Sequence, residues 1–521
     1  MTALAYTVLA VYTLALAYIT LYCLMQFTLL YHYWRAGKNN RTDEQRRPAP
    51  PVLESAYATA GGAFTGSAVG EAEPDETYPF VTIQLPIYNE KYVVERLIDN
   101  IVRFDYPRDR FEIQVLDDST DETVALTRRI VEKYRARGLQ IEQVRRSRRQ
   151  GFKAGALRDA MPLARGAFIA IFDADFLPHA DFLKQTLSHF EDPEVGVVQT
   201  RWGHLNERYS LLTRLQALQL NVHFTVEQKG RMAGGYLLQF NGTAGIWRRA
   251  AIEEAGGWEA DTLTEDLDLS IRAQLKGWKI RYLEEVVSPA ELPVEMNSLK
   301  SQQFRWMKGG AETARKMLPV VWRSGLSAWQ KMQSTFHLLA STVFVFVLLT
   351  GLSSVPLLFF FFFLIALGFD RDLFVYFLSG LLSIMAVYYV GNVAAPIHRE
   401  PRGRLLARFA VRFPLFLAMS MGLSLHNAAA VLQGWFGRPS EFVRTPKFNI
   451  KSERDTLRTN QYLSRRLSWT TIGEGLLALY FLGAVAAAWY LDNYMFVLFH
   501  ALLAFGFGAV FYYSLRHLYL N

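Results

Sequence analysis

The sequence predicts two unlike parts: an α/β domain with a Rossmann-like, mostly parallel sheet, and an α-helical transmembrane bundle. Three observations predict this. Residues 336–369 contain no Asp, Glu, Lys or Arg, a run longer than the roughly 20 residues that cross a bilayer. Residues 80–330 instead alternate short apolar runs with amphipathic segments, the pattern of strand–helix–strand units. Acidic clusters fall directly after the strand-like runs, where sheets of this kind bind ligands. The overall composition hides this division. The 521 residues are 51% hydrophobic and 20% charged, near the average for a soluble domain. A purely soluble or disordered chain is excluded by the charge-free runs. A disulfide scaffold is excluded because Cys23 is the single cysteine.

Residues 1–40 are expected to hold a membrane anchor. Residues 8–30 carry no charge, and Arg35, Lys38 and Arg41 follow. A signal peptide wants a charged start and a shorter apolar core, so the anchor reading is preferred, N-terminus outside and Arg35 inside. Residues 41–79, with Arg46-Arg47-Pro48-Ala49-Pro50-Pro51 and Ala-, Gly- and Ser-rich sequence to Gly70, read as a flexible linker.

In residues 80–330, strands are expected at 81–85, 111–116 and 168–172, with helices at Tyr92–Phe104 and Thr120–Arg137. Spans follow at 336–368, 373–395, 475–491 and 494–514. The first is long for one helix: it is a tilted span or a hairpin broken at Ser353-Ser354-Val355-Pro356. Residues 405–432 contain Arg408, Arg412, Pro414, Gly422, His426 and Asn427. Segment 438–468 has eight basic residues (Arg438, Arg444, Lys447, Lys451, Arg454, Arg458, Arg465, Arg466) against three acidic ones (Glu441, Glu453, Asp455). It belongs inside with Arg399, Arg402 and Arg404, which leaves the outer loops at Asp370–Asp372 and Asp492–Tyr494. This is satisfied if 405–432 is an interfacial amphipathic helix and five helices cross. The expected divisions are thus 1–40, 41–79, 80–330, 331–400, 401–470 and a terminal hairpin at 471–521.

Four motifs carry chemistry. Asp117-Asp118 follows the strand ending at Leu116. Asp173-Ala174-Asp175 follows the strand ending at Phe172. Thr264-Glu265-Asp266 opens a helical segment, and Gln302-Gln303-Phe304-Arg305-Trp306 precedes the spans. Singly, each has a plain structural explanation: a turn, a solvated loop, a helix cap, an interfacial anchor. Together they form a site. Asp173 and Asp175 can hold a hard divalent cation, Mg2+ or Mn2+, together with substrate phosphates. Asp266 can act as a general base. Arg305 offers a planar fork for phosphate oxygens, and Trp306 a flat face for a sugar ring.

This order of motifs resembles the processive membrane-embedded family 2 glycosyltransferases, which include cellulose, chitin and hyaluronan synthases. Ile171–Phe176, Val198-Gln199-Thr200-Arg201-Trp202, Phe240–Gly245 and Asp261–Asp268 further resemble the cellulose synthase-like A group, makers of β-1,4-mannan and glucomannan. Phe442-Val443-Arg444-Thr445-Pro446-Lys447 resembles the FxVTxK gating loop of cellulose synthases, with Arg444 and Pro446 departing from it. The resemblance covers roughly residues 80–470. It implies a GT-A fold in which Pro86, Tyr88, Asn89 and Glu90 surround the nucleotide base and ribose, and Asp117 and Asp118 contact the nucleotide. Gly151, Lys153 and Gly155 lie near the nucleotide sugar, and Asp173 and Asp175 hold the metal. Thr264 and Glu265, just before the base Asp266, bind substrate. Gln302, Arg305 and Trp306 bind diphosphate and the acceptor end, and Thr445 and Lys447 close over the nucleotide diphosphate. No cyclic-di-GMP-binding domain is expected after the last span.

The implied reaction is inverting transfer of a hexose from UDP-glucose or GDP-mannose to a growing β-glycan, processive and coupled to translocation. The alternatives are a glycolipid-forming transferase of the ceramide glucosyltransferase type and a non-catalytic membrane transport subunit. The implied partners are the nucleotide-sugar donor, the glycan acceptor and the lipid bilayer. The net charge of +8 reads as a cytoplasmic face beside anionic lipid, with no nucleic acid. The expected location is a bacterial inner membrane or its equivalent, with the catalytic domain cytoplasmic. The sequence names no accessory or oligomeric partner.

Overall fold

Aliphatic and β-branched runs between residues 81 and 290 assemble one mixed sheet. The computed structural model describes residues 1–44, 78–370, 375–398, 400–440, 443–450, 455, 461–463 and 467–518. In chain order the elements begin with α1 (Thr2–Glu44), β1 (Val81–Ile87), α2 (Val94–Ile101), β2 (Phe111–Asp117), α3 (Thr123–Arg135), β3 (Ile141–Val144), α4 (Phe152–Ala160) and β4 (Phe168–Ile171). They continue with α5 (Phe182–Leu187), β5 (Val195–His204), α6 (Leu211–Val222), α7 (Gln228–Gly234), β6 (Gly245–Arg248), α8 (Arg249–Glu254), α9 (Glu265–Leu275) and β7 (Lys279–Ala290).

The sheet order is β3-β2-β1-β4-β6-β5-β7. β1 pairs in parallel with β2 and β4, β2 with β3, and β5 with β7; β6 runs antiparallel to β4 and β5. The two-residue period of a strand sends alternate side chains to opposite faces. Phe168 and Ala170 of β4 therefore pack with Leu97, Ile98 and Val131 from α2 and α3. Ile169 and Ile171 pack on the other face with Leu157 of α4, Ile252 of α8 and Leu269 of α9. Cover on both faces explains the near-continuous burial of β1 and β2. The observed α2 and α3 are shorter at both ends than the sequence suggests. The carboxylate of Asp121 accepts the N–H of Thr123 at 3.0 Å, which makes 120–122 a turn leading into α3.

The second part comprises α10 (Met296–Arg323), α11 (Ala328–Leu338), α12 (Val343–Ala366), α13 (Leu378–Tyr389), α14 (Arg402–Gly422), α15 (Ser424–Trp435), α16 (Trp469–Tyr490) and α17 (Val497–Leu518). Six helices are long and apolar enough to cross a membrane: Thr2–Gly37, Ala340–Ala366, Val375–Ala394, Arg402–Gly422, Trp469–Tyr490 and Tyr494–Leu518. Phe359, Leu479, Leu498 and Phe505 face outward, as lipid-facing side chains do. The stretch 353–356 is not a hairpin: α12 runs through Pro356 unbroken. Proline has no N–H to give the carbonyl four residues earlier, and the Tyr480 hydroxyl donates to that Leu352 carbonyl at 3.4 Å.

Where one helix was expected over 405–432 there are two, divided at Leu423. α14 packs closely on α17: a Cβ on Gly422 would lie 2.2 Å from the Gly506 carbonyl oxygen, the small-residue packing of membrane helices. One end of this pair meets the α/β domain and the other meets α10. Glu400 faces Arg208 at 3.8 Å, and Lys308 donates to the Arg438 carbonyl. Meanwhile the start of α1 and the ends of α12 and α16 gather at the far end, through Ala5, Leu9, Phe361, Ala488 and Phe496. Most of the expected linker (45–77) lies outside the described residues, as do Arg371–Leu373, Arg399, Phe442, Lys451, Arg454, Arg458, Arg465 and Arg466.

Candidate active site

The ends of β1, β2 and β4 open into one cleft. After β1, Asn89 takes a left-handed conformation (φ 55°), which Asn tolerates better than most residues. Its N–H donates to Ser119 Oγ at 2.8 Å, and its Oδ1 accepts the Thr120 N–H at 2.9 Å. Asn89 thereby ties the first two strand-end loops together. Asp117 is buried in this turn, accepting from Ser119 N at 2.9 Å and Gln143 Nε2 at 2.6 Å. Neither Asn89 nor Asp117 lines the cleft.

The cleft is lined by Pro86, Tyr88, Glu90, Asp118, Lys153, Asp173, Asp175, Arg305, Thr445 and Lys447, all expected site residues, and by Arg149 and Arg444. Asp118 accepts both arms of the Arg146 fork, with Nε at 3.0 Å. The Arg149 guanidinium lies over the Tyr88 ring, 3.5 Å from its centre. The Lys153 ammonium donates to Asp173 Oδ1 at 2.6 Å and to the Gly242 carbonyl at 2.9 Å. Lys447 pairs with Asp175 at 2.7 Å, and Arg444 with Glu90 at 2.6 Å. Arg305 donates to Thr445 Oγ1 at 2.8 Å. The 443–450 segment is thus seated over the strand ends, far in sequence from all of them.

Asp266 lies beside this cleft, in the first turn of α9. Its carboxylate abuts Gly242, whose φ is +78°, so closely that a Cβ there would sit 2.8 Å from Asp266 Oδ2 and 3.5 Å from Lys153 Nζ. Lys153 therefore connects the Asp173 side of the cleft to Asp266. Burial, and then the charge of Glu265, push the Asp266 carboxyl up to about 7, with Lys153 opposing. Burial also raises Glu265, and lifts Glu90 to about 7 against the pull of Arg444 and Lys447. Burial works against the charge of Lys153, but Asp173 and Glu265 outweigh it and its pKa rises. Thr264 precedes α9 and meets Thr313 Oγ1 at 3.0 Å on α10. Gln302 and Trp306 are half-buried on α10 and do not line the cleft beside Arg305.

Four arginines at Arg145, Arg146, Arg148 and Arg149, just before Gly151, were the overlooked signal. Of this run Arg149 lines the cleft, Arg146 holds Asp118, and Arg145 donates to the Ser119 carbonyl. Asn241 was overlooked as well: its Oδ1 meets His223 Nε2 at 2.9 Å and Gln239 Nε2 at 2.8 Å, next to Gly242.

Comparison with known proteins decides the family. The probable glucomannan 4-beta-mannosyltransferase 1 of Arabidopsis thaliana is 34% identical over 453 residues, 84% of this chain and 79% of that one. The chain belongs to the family 2 glycosyltransferases. The family description "Glycosyltransferase like family 2" fits residues 79–309 of this glycosyltransferase, which span its GT-A-like sheet. Probable glucomannan 4-beta-mannosyltransferase 10 of Arabidopsis thaliana is 42% identical over 263 residues, 49% of this chain and 48% of that one. Probable glucomannan 4-beta-mannosyltransferase 4 of Oryza sativa subsp. japonica is 38% identical over 345 residues, 64% and 59% of the two chains. These two matches span about half and three fifths of the relatives' lengths. Among solved structures, the mannosyltransferase PcManGT from Pyrobaculum calidifontis, in complex with GDP-Man and Mn2+, is 22% identical with a TM-score of 0.49. That likeness covers 81% of this glycosyltransferase and 100% of PcManGT.

The residues of the glycosyltransferase fit a divalent cation at Asp173 and Asp175. Each carboxylate faces the cleft and pairs there with an ammonium group, Lys153 at 2.6 Å and Lys447 at 2.7 Å, so each already accommodates a cation. A second acidic cluster, Glu259, Asp261 and Asp268, brings its oxygens within 4.8 Å of one another. Lys316 Nζ sits among them at 2.6, 2.9 and 3.0 Å. That cluster is an internal ion-pair network between α9 and α10.

Proposed function

We propose that this glycosyltransferase moves a hexose from GDP-mannose or UDP-glucose to the end of a growing β-glycan, inverting the anomeric carbon and passing the product through its helical bundle. The observation that carries the reading is the adjacency of Asp266 to the Lys153–Asp173 pair. A carboxylate near neutral pKa stands one lysine away from a cluster suited to a diphosphate. The names of the relatives favour mannose, and a β-1,4-linked mannan or glucomannan as product.

In the proposed reaction the acceptor hydroxyl attacks the anomeric carbon from the face opposite the diphosphate. The new C–O bond forms as the bond to the diphosphate breaks. The hydroxyl proton goes to Asp266, whose raised pKa suits a base working near neutral pH. Arg305 and Lys447 offset charge on the departing diphosphate. Tyr88, Glu90, Asp118 and Arg149 hold the nucleoside end, while Gln302 and Trp306 guide the acceptor. Asp173 and Asp175 would hold a Mg2+ or Mn2+ ion, which would supply Lewis-acid stabilisation of the diphosphate oxygens.

Glu400 beside Arg208 of the α/β domain, and Arg438 and Ser440 beside Lys308 of α10, support five crossings, with α14 and α15 together leaving and re-entering the same side. The excess of positive charge in the loops on that side favours an α/β domain in the cytoplasm and an N-terminus outside. The deciding experiment incubates membranes containing the protein with GDP-mannose and UDP-glucose separately, followed by linkage analysis and sizing. A β-linked polymer that resists lipid extraction is expected. A single sugar on an extractable lipid would replace this reading with glycolipid synthesis. No sugar transfer from either donor would overturn it.

A further inference from the structure

α10 carries a polar stripe that the reaction above leaves largely unused. Arg305, Lys308, Glu312 and Lys316 are spaced three, four and four residues apart, which places them along one face of a helix. Lys308 stands out because its side chain is only 1% exposed. Its ammonium donates to the Arg438 carbonyl and to Ser440 Oγ, both at 2.6 Å, and Glu312 Oε1 lies 3.7 Å away. The other carboxylate oxygen of Glu312 accepts the N–H of Leu263 at 2.9 Å. Leu263 precedes the Thr264-Glu265-Asp266 turn.

The two ends of this connection matter. Arg438 and Ser440 are the root of the segment that brings Arg444, Thr445 and Lys447 into the cleft. Leu263 is the lead-in to the helix that presents Asp266. The helix faces are already pressed together here: a Cβ on Gly434 would lie 2.6 Å from the Lys308 carbonyl oxygen, and one on Gly309 would lie 2.7 Å from Thr264. An apolar side chain of similar length would fill the space of Lys308 without the desolvation that a buried charge incurs. Packing alone therefore does not account for a lysine.

We propose that Lys308 and Glu312 form a strut that fixes the 443–450 loop relative to the Asp266 helix, so that nucleotide closure and proton abstraction are assembled in one geometry. Both are positioning residues, acting through the loop root and through Leu263. The inference rests on the transfer reaction proposed above.

The test uses the full-length protein in membranes or detergent, with Lys308→Met, Lys308→Arg, Glu312→Gln and the Lys308→Met/Glu312→Gln double variant. Misplacing reacting groups by about 1 Å is expected to lower kcat by about tenfold or more, so Lys308→Met should lose at least that and raise the donor KM. Lys308→Arg should recover most of both. The double variant should be no worse than its worse single parent. Glu312→Gln keeps an oxygen for Leu263 while losing the charge, and serves if Lys308→Met does not fold; it should lower kcat in the protein that remains folded. Normal kcat and KM in these variants would overturn the strut, as would single losses that multiply in the double variant. Protection of the 443–450 loop from protease by GDP or UDP is read in parallel, independently of turnover. Weakened protection in Lys308→Met supports the strut, and unchanged protection overturns it. Absence of transfer by the unmodified protein strikes the proposed function instead.

Discussion

Two lysine–carboxylate pairs of nearly equal length sit in two different settings. Lys447 and Asp175 meet at 2.7 Å in the cleft, and Lys300 and Glu474 at 2.8 Å between α10 and α16. The second pair is sealed: its side chains are 5% and 0% exposed, and Lys300 also donates to Thr471 Oγ1 at 3.0 Å. His426 Nε2 lies 2.9 Å from the Lys300 carbonyl oxygen. Each partner is protein, and burial still lowers the Lys300 pKa despite Glu474. The cleft pair is one of several interchangeable charges. Around it stand Arg149, Lys153, Arg305, Arg444 and Lys447 against Glu90, Asp118, Asp173 and Asp175, a balance that leaves room for a further anion. A pair with alternatives can yield to a ligand, whereas a sealed pair can only be kept or lost.

The sharpest way to break the comparison is to remove the carboxylate beside the cleft that is proposed to act as the base. Asp266→Asn should lower kcat by about 10³-fold, within the usual range for a lost general base. Isothermal titration should show GDP or UDP binding within about twofold of the unmodified protein, because in the proposed reaction the changed group acts on the acceptor hydroxyl. Retained turnover would remove Asp266 from the mechanism.

The sealed pair should fail in the opposite manner. Lys300→Met leaves Glu474 buried and unpaired, which costs about 3–5 kcal/mol of stability. Thermal unfolding in detergent should detect it, with turnover per folded molecule largely preserved. The double change Lys300→Met/Glu474→Leu should recover much of the stability. If Lys300→Met melts normally, the two settings are not different in kind.

Asp266 also sharpens the comparison through pH. Its carboxyl is pushed up to about 7, first by burial and then by Glu265. Catalysis needs the ionised form, so kcat at saturating donor should fall about tenfold per pH unit below 7 and level off above it. The stability effect has the other sign. A folded pKa raised from 3.8 to about 7 favours the folded state most below 3.8, and the contribution is lost as pH rises through 7. Activity rising while thermal stability falls between pH 5 and 8 would separate this group from an ordinary surface acid. A flat rate profile over that range would mean that another group accepts the proton.

The cleft half of this contrast is legible in the sequence, whereas the Lys300–Glu474 half, joined across 174 residues, is not. Strand-end carboxylates are readable because a strand and the turn after it are local: Asp118, Asp173 and Asp175 could be placed from their own neighbours. Asp117 looked equivalent to Asp118, but the alternation of strand side chains turned it into the turn, onto Ser119 N and Gln143. Arg444 looked like a departure from a motif until its partner Glu90, far away in sequence, came into view. The division of 405–432 at Leu423 escaped notice because both halves have helical composition. Gly422 stands at the break and packs on Gly506 of α17, but a lone glycine reads equally as a packing contact within one helix.

The smallest effect tests whether the cleft pair really yields. Without nucleotide, the Lys447 ammonium neutralises Asp175 and stands where a metal ion would be attracted. Lys447→Met removes that competitor, so Mn2+ should bind the nucleotide-free protein more tightly, by several-fold, since nearby like charges raise each other's energy in a partly buried site. Arg305 and Arg444 line the same cleft and leave Asp175 with positive neighbours, so thermal stability should fall less than in Lys300→Met. The same substitution should raise the donor KM, because it removes a cation from the diphosphate. Tighter metal binding with weaker donor binding is the signature of an exchangeable pair. A large loss of stability would place Lys447–Asp175 with Lys300–Glu474 as a structural bond and dissolve the contrast between the two regions.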